Sequence, residues 1–508
     1  MTTSSTITRG TSSLNIWAQR SKPKVDISFV EQRPNLVNSY TTGDHIEGTA
    51  TITVEYETRF DEVEIVLQGR IMQFNVQCIN ITDIKTGNSS TLMDRVNSPG
   101  QLGSRQTFLK LRQPIEDTYY PTPRVLEVGR QYKFDFTFVV PDHLLPQVCS
   151  HTKKNIHVAH SHTLLPPTLG DPMLSSDGKT LLDDLAPQMS QISYTIRVAV
   201  LQRSQTERKL TTLAHVAKKV RIIPNIAEEP PIDVTGNQFY CLRKEKTVRR
   251  GFLRGKLGRI VASSSQPKAI ELLPPYCEVK DTVSTSVTVQ LRFDPMGKES
   301  PPRLGSIVSR LNASTFFGSS GWDDFPRQRE VGGFQQVGKS VFNESIFLST
   351  MCVESAQWEK HTSLSDSDSR CDSLQSTSSA DSTSPPSAFC GGVYYTTSLV
   401  IPVTLPKSKA FVPTFHSCLI SRTYSLELSL SYHTPNTNVL EPTVSLRLPV
   451  QITSRSKYAD SVESTTDVFV TQEQLESFFA PRYVSQPTRN SVVDISLAPP
   501  VYSETNTT

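Results

Sequence analysis

The sequence predicts an all-β protein made of two tandem antiparallel β-sandwich domains, with disordered termini and a disordered serine-rich insertion in the second domain. Three observations carry this. Apolar side chains recur at every second position in run after run, most clearly at Tyr132, Phe134, Phe136, Phe138 and Val140. Such spacing puts one face of an extended chain in a core and the other in water. Turn signals separate the runs, among them TTGD (41–44) and KTGN (85–88). Convincing amphipathic helices are few, and 508 residues are too many for one domain.

In chain order, residues 1–24 are rich in serine and threonine and read as a flexible tail. The first domain is predicted over 25–226. It contains alternating runs at Ile52, Val54 and Tyr56, at Val63, Ile65 and Leu67, at Tyr132–Val140, and at Ile192, Tyr194, Ile196, Val198 and Val200. Prolines and acids replace the alternation at 221–236, which marks the join. The second domain, 227–455, alternates at Val287, Val289, Leu291 and Phe293, and at Tyr424, Leu426, Leu428, Leu430 and Tyr432. It does so again at Val444, Leu446, Leu448, Val450 and Ile452. Its insertion, about 360–390, is almost devoid of apolar side chains. It cannot bury enough surface to offset the entropy of ordering. The stretch 456–508 is a second predicted disordered tail.

Bulk composition narrows the function classes. A formal net charge of +3 on 508 residues, with no recognised binding module, argues against a nucleic-acid binder. The eight cysteines form no CxxC pair, which removes zinc-ribbon and thioredoxin-type sites and suits free thiols in a reducing compartment. The N-terminus has no apolar leader segment and no run of 18 apolar residues occurs, so the expectation is a soluble intracellular protein.

Several segments together resemble the arrestin-like family. PNLVNSYTTGDHIEGTATITVE followed by FDEVEIVLQGR (60–70) is similar to the opening of an arrestin-type N-terminal domain. YKFDFTFVVPDHLLP (132–146), LPPTLGD (165–171) and DDLAPQMSQISYTIRVAV (183–200) look like the segments that follow in fungal arrestin-like proteins. SVTVQLRFDP (286–295) and FVPTFHSCLISRTYSLELSLSY (411–432) resemble strands of the C-terminal arrestin domain. The resemblance spans roughly 26–452, and the order of the segments is more specific than any one of them. It implies a non-catalytic adaptor of the fungal α-arrestin, or arrestin-related trafficking adaptor, type. Such a body binds membrane cargo, and PPxY motifs recruit a HECT-type ubiquitin ligase through its WW domains. A visual-arrestin-like polar core cannot be placed on this chain residue by residue.

The PPxY motif is present in SLAPPVYSE, at Pro499, Pro500 and Tyr502, with Leu497 adding apolar contact upstream. Paired prolines fix φ near −65° and favour polyproline II, so little entropy is lost on docking into the aromatic groove of a WW domain. APRY, with Pro481 and Tyr483, is a weaker second ligand. LPPY (273–276) leads into the expected first strand of the second domain, which favours a structural role there.

Other stretches carry charge or metal-ligating types. Arg243, Lys244, Lys246, Arg249, Arg250, Arg254, Lys256 and Arg259 stand against the single local acid Glu245. Such a patch suits an acidic cytosolic tail, a phosphosite or anionic headgroups. Ser363, Ser365, Ser369 and Ser378 each have an aspartate three positions on, and Ser384 precedes Pro385, contexts that suit acid-directed and proline-directed kinases. Lys218 and Lys219 near the join are candidate ubiquitylation sites. Cys149, His151, His157, His160 and His162 are metal-ligating types, but their spacing matches no common site. They fall where the family has an ordinary loop and strand, so no metal site is expected. No GxSxG elbow, P-loop, HExxH or helix-opening GxGxxG occurs, so no enzyme and no cofactor are expected.

The expected partners are therefore a WW-domain HECT-type ubiquitin ligase and the cytosolic tails of membrane transporters or receptors. The protein would be cytoplasmic and reach the plasma membrane and endosomes through these partners. An arrestin-type signalling scaffold, in ambient-pH or nutrient sensing, is the alternative. A β-sandwich hydrolase or lipid carrier is a third reading.

Overall fold

The computed structural model describes residues 22–30, 37–73, 104–171, 173–174, 181–204, 209–232, 234, 237–250, 255–273, 283–328, 338–362, 392–434 and 441–455. The N-terminal half runs β1 (Lys24–Phe29), β2 (Ser39–Tyr40), β3 (His45–Thr53), β4 (Thr58–Arg59), β5 (Glu62–Gln73), β6 (Ser104–Arg112), β7 (Val125–Leu126) and β8 (Tyr132–Val139). A short helix α1 (Ile156–Ser161) follows, then β9 (Met173–Leu174), β10 (Leu181–Leu182), β11 (Ser190–Arg203) and β12 (Leu210–Ile222). The C-terminal half runs β13 (Arg243–Arg249), β14 (Lys256–Ser263), β15 (Ile270–Leu272), β16 (Ser284–Pro295), β17 (Arg303–Gly318) and β18 (Lys339–Cys352). It continues with β19 (Glu359–Thr362), β20 (Val393–Thr404), β21 (Phe415–His416), β22 (Ile420–His433), β23 (Thr443–Val450) and β24 (Ile452–Ser454). No helix among the described residues is long and apolar enough to cross a membrane.

Each half folds as two sheets around its own core. In the first, sheet β1-β3-β8 faces sheet β2-β12-β11-β5-β6. β8 shows how the sequence dictates this: Tyr132, Phe134, Phe136 and Phe138 are buried, while Lys133, Asp135, Thr137 and Val139 are exposed. The buried rings interlock edge-on and tilted, with Phe29 against Phe136 at 6.3 Å and Tyr120 against Phe134 at 5.7 Å. Burying one such ring is worth about 1.5–3 kcal/mol relative to exposure. The turn into β3 is the predicted TTGD. Gly43 takes φ of +83°, and Asp44 accepts from the Thr41 N–H at 2.8 Å.

In the second half, β13-β14-β16-β20-β19 faces β18-β17-β22-β21, with β23 also paired to β22. β16 pairs β14 and β20 antiparallel, and Val287, Val289, Leu291 and Phe293 point into the core as expected. The two halves also touch. Val412, Phe415, Leu419 and Ile420, from the approach to β22, pack into the first core. Between them, the described residues of 223–242 hold isolated bridges, Ile226 to Ser454 and Cys241 to Arg447.

Two expectations are corrected. The stretch 149–162 is not a loop and strand: Asn155 caps helix α1, accepting from the Val158 N–H at 2.9 Å. The strand after LPPY is not the first of its half, because β13 and β14 precede it and the basic stretch is itself a hairpin. Ahead of the serine-rich stretch, β19 pairs Glu359–Thr362 with β20, where His361 stacks on Tyr394 at 4.9 Å.

Candidate functional site

The basic segment becomes an edge. Among the described residues β13 is paired in a ladder with β14, the preceding Cys241 bridges Arg447 of β23, and the strand's burial pattern is exposed throughout except for Val248. Sequence counted one acid near the cations; the fold brings up more. Arg243 and Arg259 both bind Glu245, at 3.1 and 3.0 Å, and Arg259 also holds the buried Asp294 at 2.9 Å. Arg250 pairs with Glu299, and Lys246 donates to the Thr443 carbonyl at 2.7 Å. Lys244, Arg249 and Lys256 carry no ion pair among the described residues, which leaves them available to an acidic partner. Arg254 lies outside the described residues. The exposed pairs of Arg243 and Arg250 contribute about 0.2–1 kcal/mol each, so their charge is cheap to change.

Lys219 is exposed and pairs with Asp171 at 2.5 Å, whereas Lys218 is half-buried, donates to the Ile27 carbonyl at 2.9 Å and lies over the Phe29 ring. The PPxY residues Leu497, Pro499, Pro500 and Tyr502, the pair Pro481 and Tyr483, and Ser363, Ser365, Ser369, Ser378 and Ser384 lie outside the described residues.

Sequence reasoning missed a buried charge cluster where the two halves meet. Arg422 of β22 is fully buried and donates from Nη2 to the Leu185 carbonyl at 3.1 Å, while its Nε and Nη1 lack hydrogen-bond partners. Next to Leu185, the buried Asp184 accepts from the Gly170 N–H at 2.5 Å and the Ala186 N–H at 3.1 Å. Burial raises its pKa, outweighing the lowering by Arg422 and by the backbone donors. Buried Arg221 feels the same carboxylate; burial lowers its pKa to about 10 against the opposing pull of Asp184. The neighbouring Asp183 is exposed and pairs with Lys409 at 2.9 Å. Its slight burial pushes its pKa up, but Lys409 and the Leu185 N–H pull harder, so the net shift is downward.

The cysteine–histidine stretch is divided by the fold. His157 and His160 face solvent, with His160 beside His143 at 5.9 Å. Cys149, His151 and His162 turn inward, where Cys418 joins them from just before β22. One donor atom from each of Cys149, His151 and Cys418 lies within 4.8 Å of the others. Cys149 Sγ is 3.5 Å from His162 Nδ1. Burial pushes the Cys418 thiol up to about 12, helped by nearby Cys149, and pulls His162 down to about 4, helped by His151.

No protein-family model matches the chain. The chain is similar to Bypass of stop codon protein 5 of Saccharomyces cerevisiae, at 21% identity over 252 residues, covering 43% of this chain and 48% of that protein. The chain thus spans about half the length of the relative it matches. The all-β architecture with two cores is consistent with an arrestin-like fold.

Proposed function

We propose that this chain is an arrestin-like adaptor that links membrane transporters or receptors to a WW-domain HECT-type ubiquitin ligase, promoting cargo ubiquitylation and endocytosis. The observation that carries the reading is a two-sandwich β body on the same chain as a PPxY motif at 499–502. The division of labour is physical. A rigid body holds one partner, a preshaped proline segment holds the other, and the tether raises the ligase's effective concentration at cargo lysines. The exposed face of β13, with Lys244, Arg249 and Lys256, suits an acidic cytosolic tail, which its charge would steer into place. In this reading the chain works in the cytoplasm and reaches the plasma membrane and endosomes only through its partners. It neither binds nucleic acid nor catalyses a reaction.

A pull-down with an immobilised WW-domain array tests the reading. The intact chain is retained, and Tyr502→Ala abolishes retention while Tyr483→Ala weakens it slightly. Equal retention of Tyr502→Ala and the intact chain would refute ligase recruitment through this motif. If Tyr502→Ala in cells removes signalling but leaves cargo turnover unchanged, the scaffold reading replaces the adaptor one.

A further inference from the structure

We infer that Cys149, His151, His162 and Cys418 form a structural zinc site that fastens the α1 segment to the entrance of β22. Two independent features of the geometry point to a cation. The first is convergence of donor types. One atom each from Cys149, His151 and Cys418 lies within a 4.8 Å set, and His162 Nδ1 is 3.5 Å from Cys149 Sγ. Zn–S bonds of about 2.3 Å and Zn–N bonds of about 2.0–2.1 Å place the donors of a tetrahedral site about 3.5–3.8 Å apart. The Cys149–His162 spacing already meets that, the Cys149, His151 and Cys418 donors need to close by about 1 Å, and His162 must turn from Cys149 toward the other two. Two thiolates with two imidazoles are a donor set that zinc accepts and that calcium and magnesium do not.

The second feature is an orphaned, preoriented ligand. His151 Nε2 is buried and has no hydrogen-bond partner, an arrangement a folded chain rarely keeps without cause. Its Nδ1 is 3.0 Å from the Thr152 carbonyl. That bond places the proton on Nδ1 and leaves the Nε2 lone pair free, which is how metal-binding histidines are commonly fixed. Gly321 backs the ring so closely that an added Cβ would come within 2.4 Å of it. Lys153 Nζ donates to the Cys149 carbonyl at 2.5 Å, which holds the backbone of this ligand in place.

The site joins segments that are remote in the chain and otherwise held by modest contacts. Lys154 pairs with Asp323 at 3.3 Å, Asn155 reaches Asp324 at 3.4 Å, and the Trp322 N–H donates to the Cys418 carbonyl at 2.9 Å. A bound zinc ion would clamp all of these at once.

The test is elemental analysis of the full chain purified under reducing conditions, with thermal unfolding before and after chelation. About one zinc per chain is expected. His151→Gln and Cys418→Ser each remove a ligand and should leave the purified chain without zinc, while the double variant His157→Ala, His160→Ala keeps its zinc. Chelation should lower the melting temperature of the intact chain and leave that of His151→Gln unchanged. Because Cys418→Ser could also misfold, cobalt(II) loading of the unaltered chain supplies a second readout. Sulfur-to-cobalt charge-transfer absorption of a two-thiolate tetrahedral site is expected. Absence of zinc from the intact chain, together with failure to take up added zinc, would overturn the inference. So would copper in place of zinc, or a Cys149–Cys418 disulfide in the protein as isolated.

Discussion

The β13–β14 edge and the junction around Arg422 use the same side-chain types to opposite ends. On the edge, Arg243 and Arg250 meet carboxylates in or near water, and each can be exchanged at small cost. At the junction, Arg422 and Arg221 are buried beside a single buried carboxylate, Asp184. Neighbours in sequence can fall on either side of this divide. Asp183, exposed and paired with Lys409, has its pKa lowered, while Asp184, one residue on, has its pKa raised. Position relative to water, more than residue type, sets what a charge does here. An exposed charge is free to select partners, and a buried one is tied to the fold.

The sharpest way to break this comparison is Arg422→Ala. Removing one member of a buried charge group costs about 3–5 kcal/mol, because Asp184 stays behind without its nearest balancing charge. Urea unfolding measures it. Replacing both partners, as Arg422→Met with Asp184→Asn, should cost clearly less than Arg422→Ala alone, since no uncompensated charge is left.

On the edge the large effect should appear in binding. Reversing charge at Lys244 and Arg249 together should weaken binding of an acidic tail peptide by about tenfold at low salt, with the loss shrinking as salt rises. Titration calorimetry at two salt concentrations checks this.

A smaller, paired effect lies in pH. Asp184 has a raised folded pKa, so its contribution to stability is fully present below about 3.8 and is lost as pH rises through the folded value. Asp184→Asn should therefore gain on the unaltered chain as pH rises from about 3.5 to about 7. Asp183 has a lowered pKa, so its contribution is present above about 3.8 and is lost as pH falls through the folded value. Asp183→Asn should accordingly lose against the unaltered chain over the same rise, by no more than about 1 kcal/mol because the pair is exposed. Matching slopes for the two variants would contradict the burial argument. The smallest effect is on the stability of the edge itself: Arg249→Ala should stay within about 0.5 kcal/mol of the unaltered chain.

What the sequence made legible follows the same line between local and distant information. β8, β16 and β22 were readable because period-2 alternation reflects burial on one face, and Phe134, Leu291 and Leu426 fall inward as that rule demands. β12 was not, because its residues from Leu210 to Lys219 are mostly exposed or half-buried and carry little alternation. The basic run was legible as charge, but its acids Asp294 and Glu299 arrive from β16 and the turn beyond it. The junction and the sulfur–imidazole cluster were hidden for a plain reason. Arg422 meets Leu185 across 237 positions, and Cys418 meets Cys149 only once both cores have folded. The one signal available was Arg422 itself, a cation early in β22 among mostly apolar and small side chains.

The most direct test of the adaptor account is whether one chain holds both partners at once. Sedimentation of the full chain with a WW-domain array and an acidic cargo-tail peptide should give a ternary complex. Tyr502→Ala should lose only the WW-domain array, and the Lys244, Arg249 charge reversal only the peptide. Mutual exclusion of the two ligands, or a ternary complex that survives Tyr502→Ala, would contradict the account.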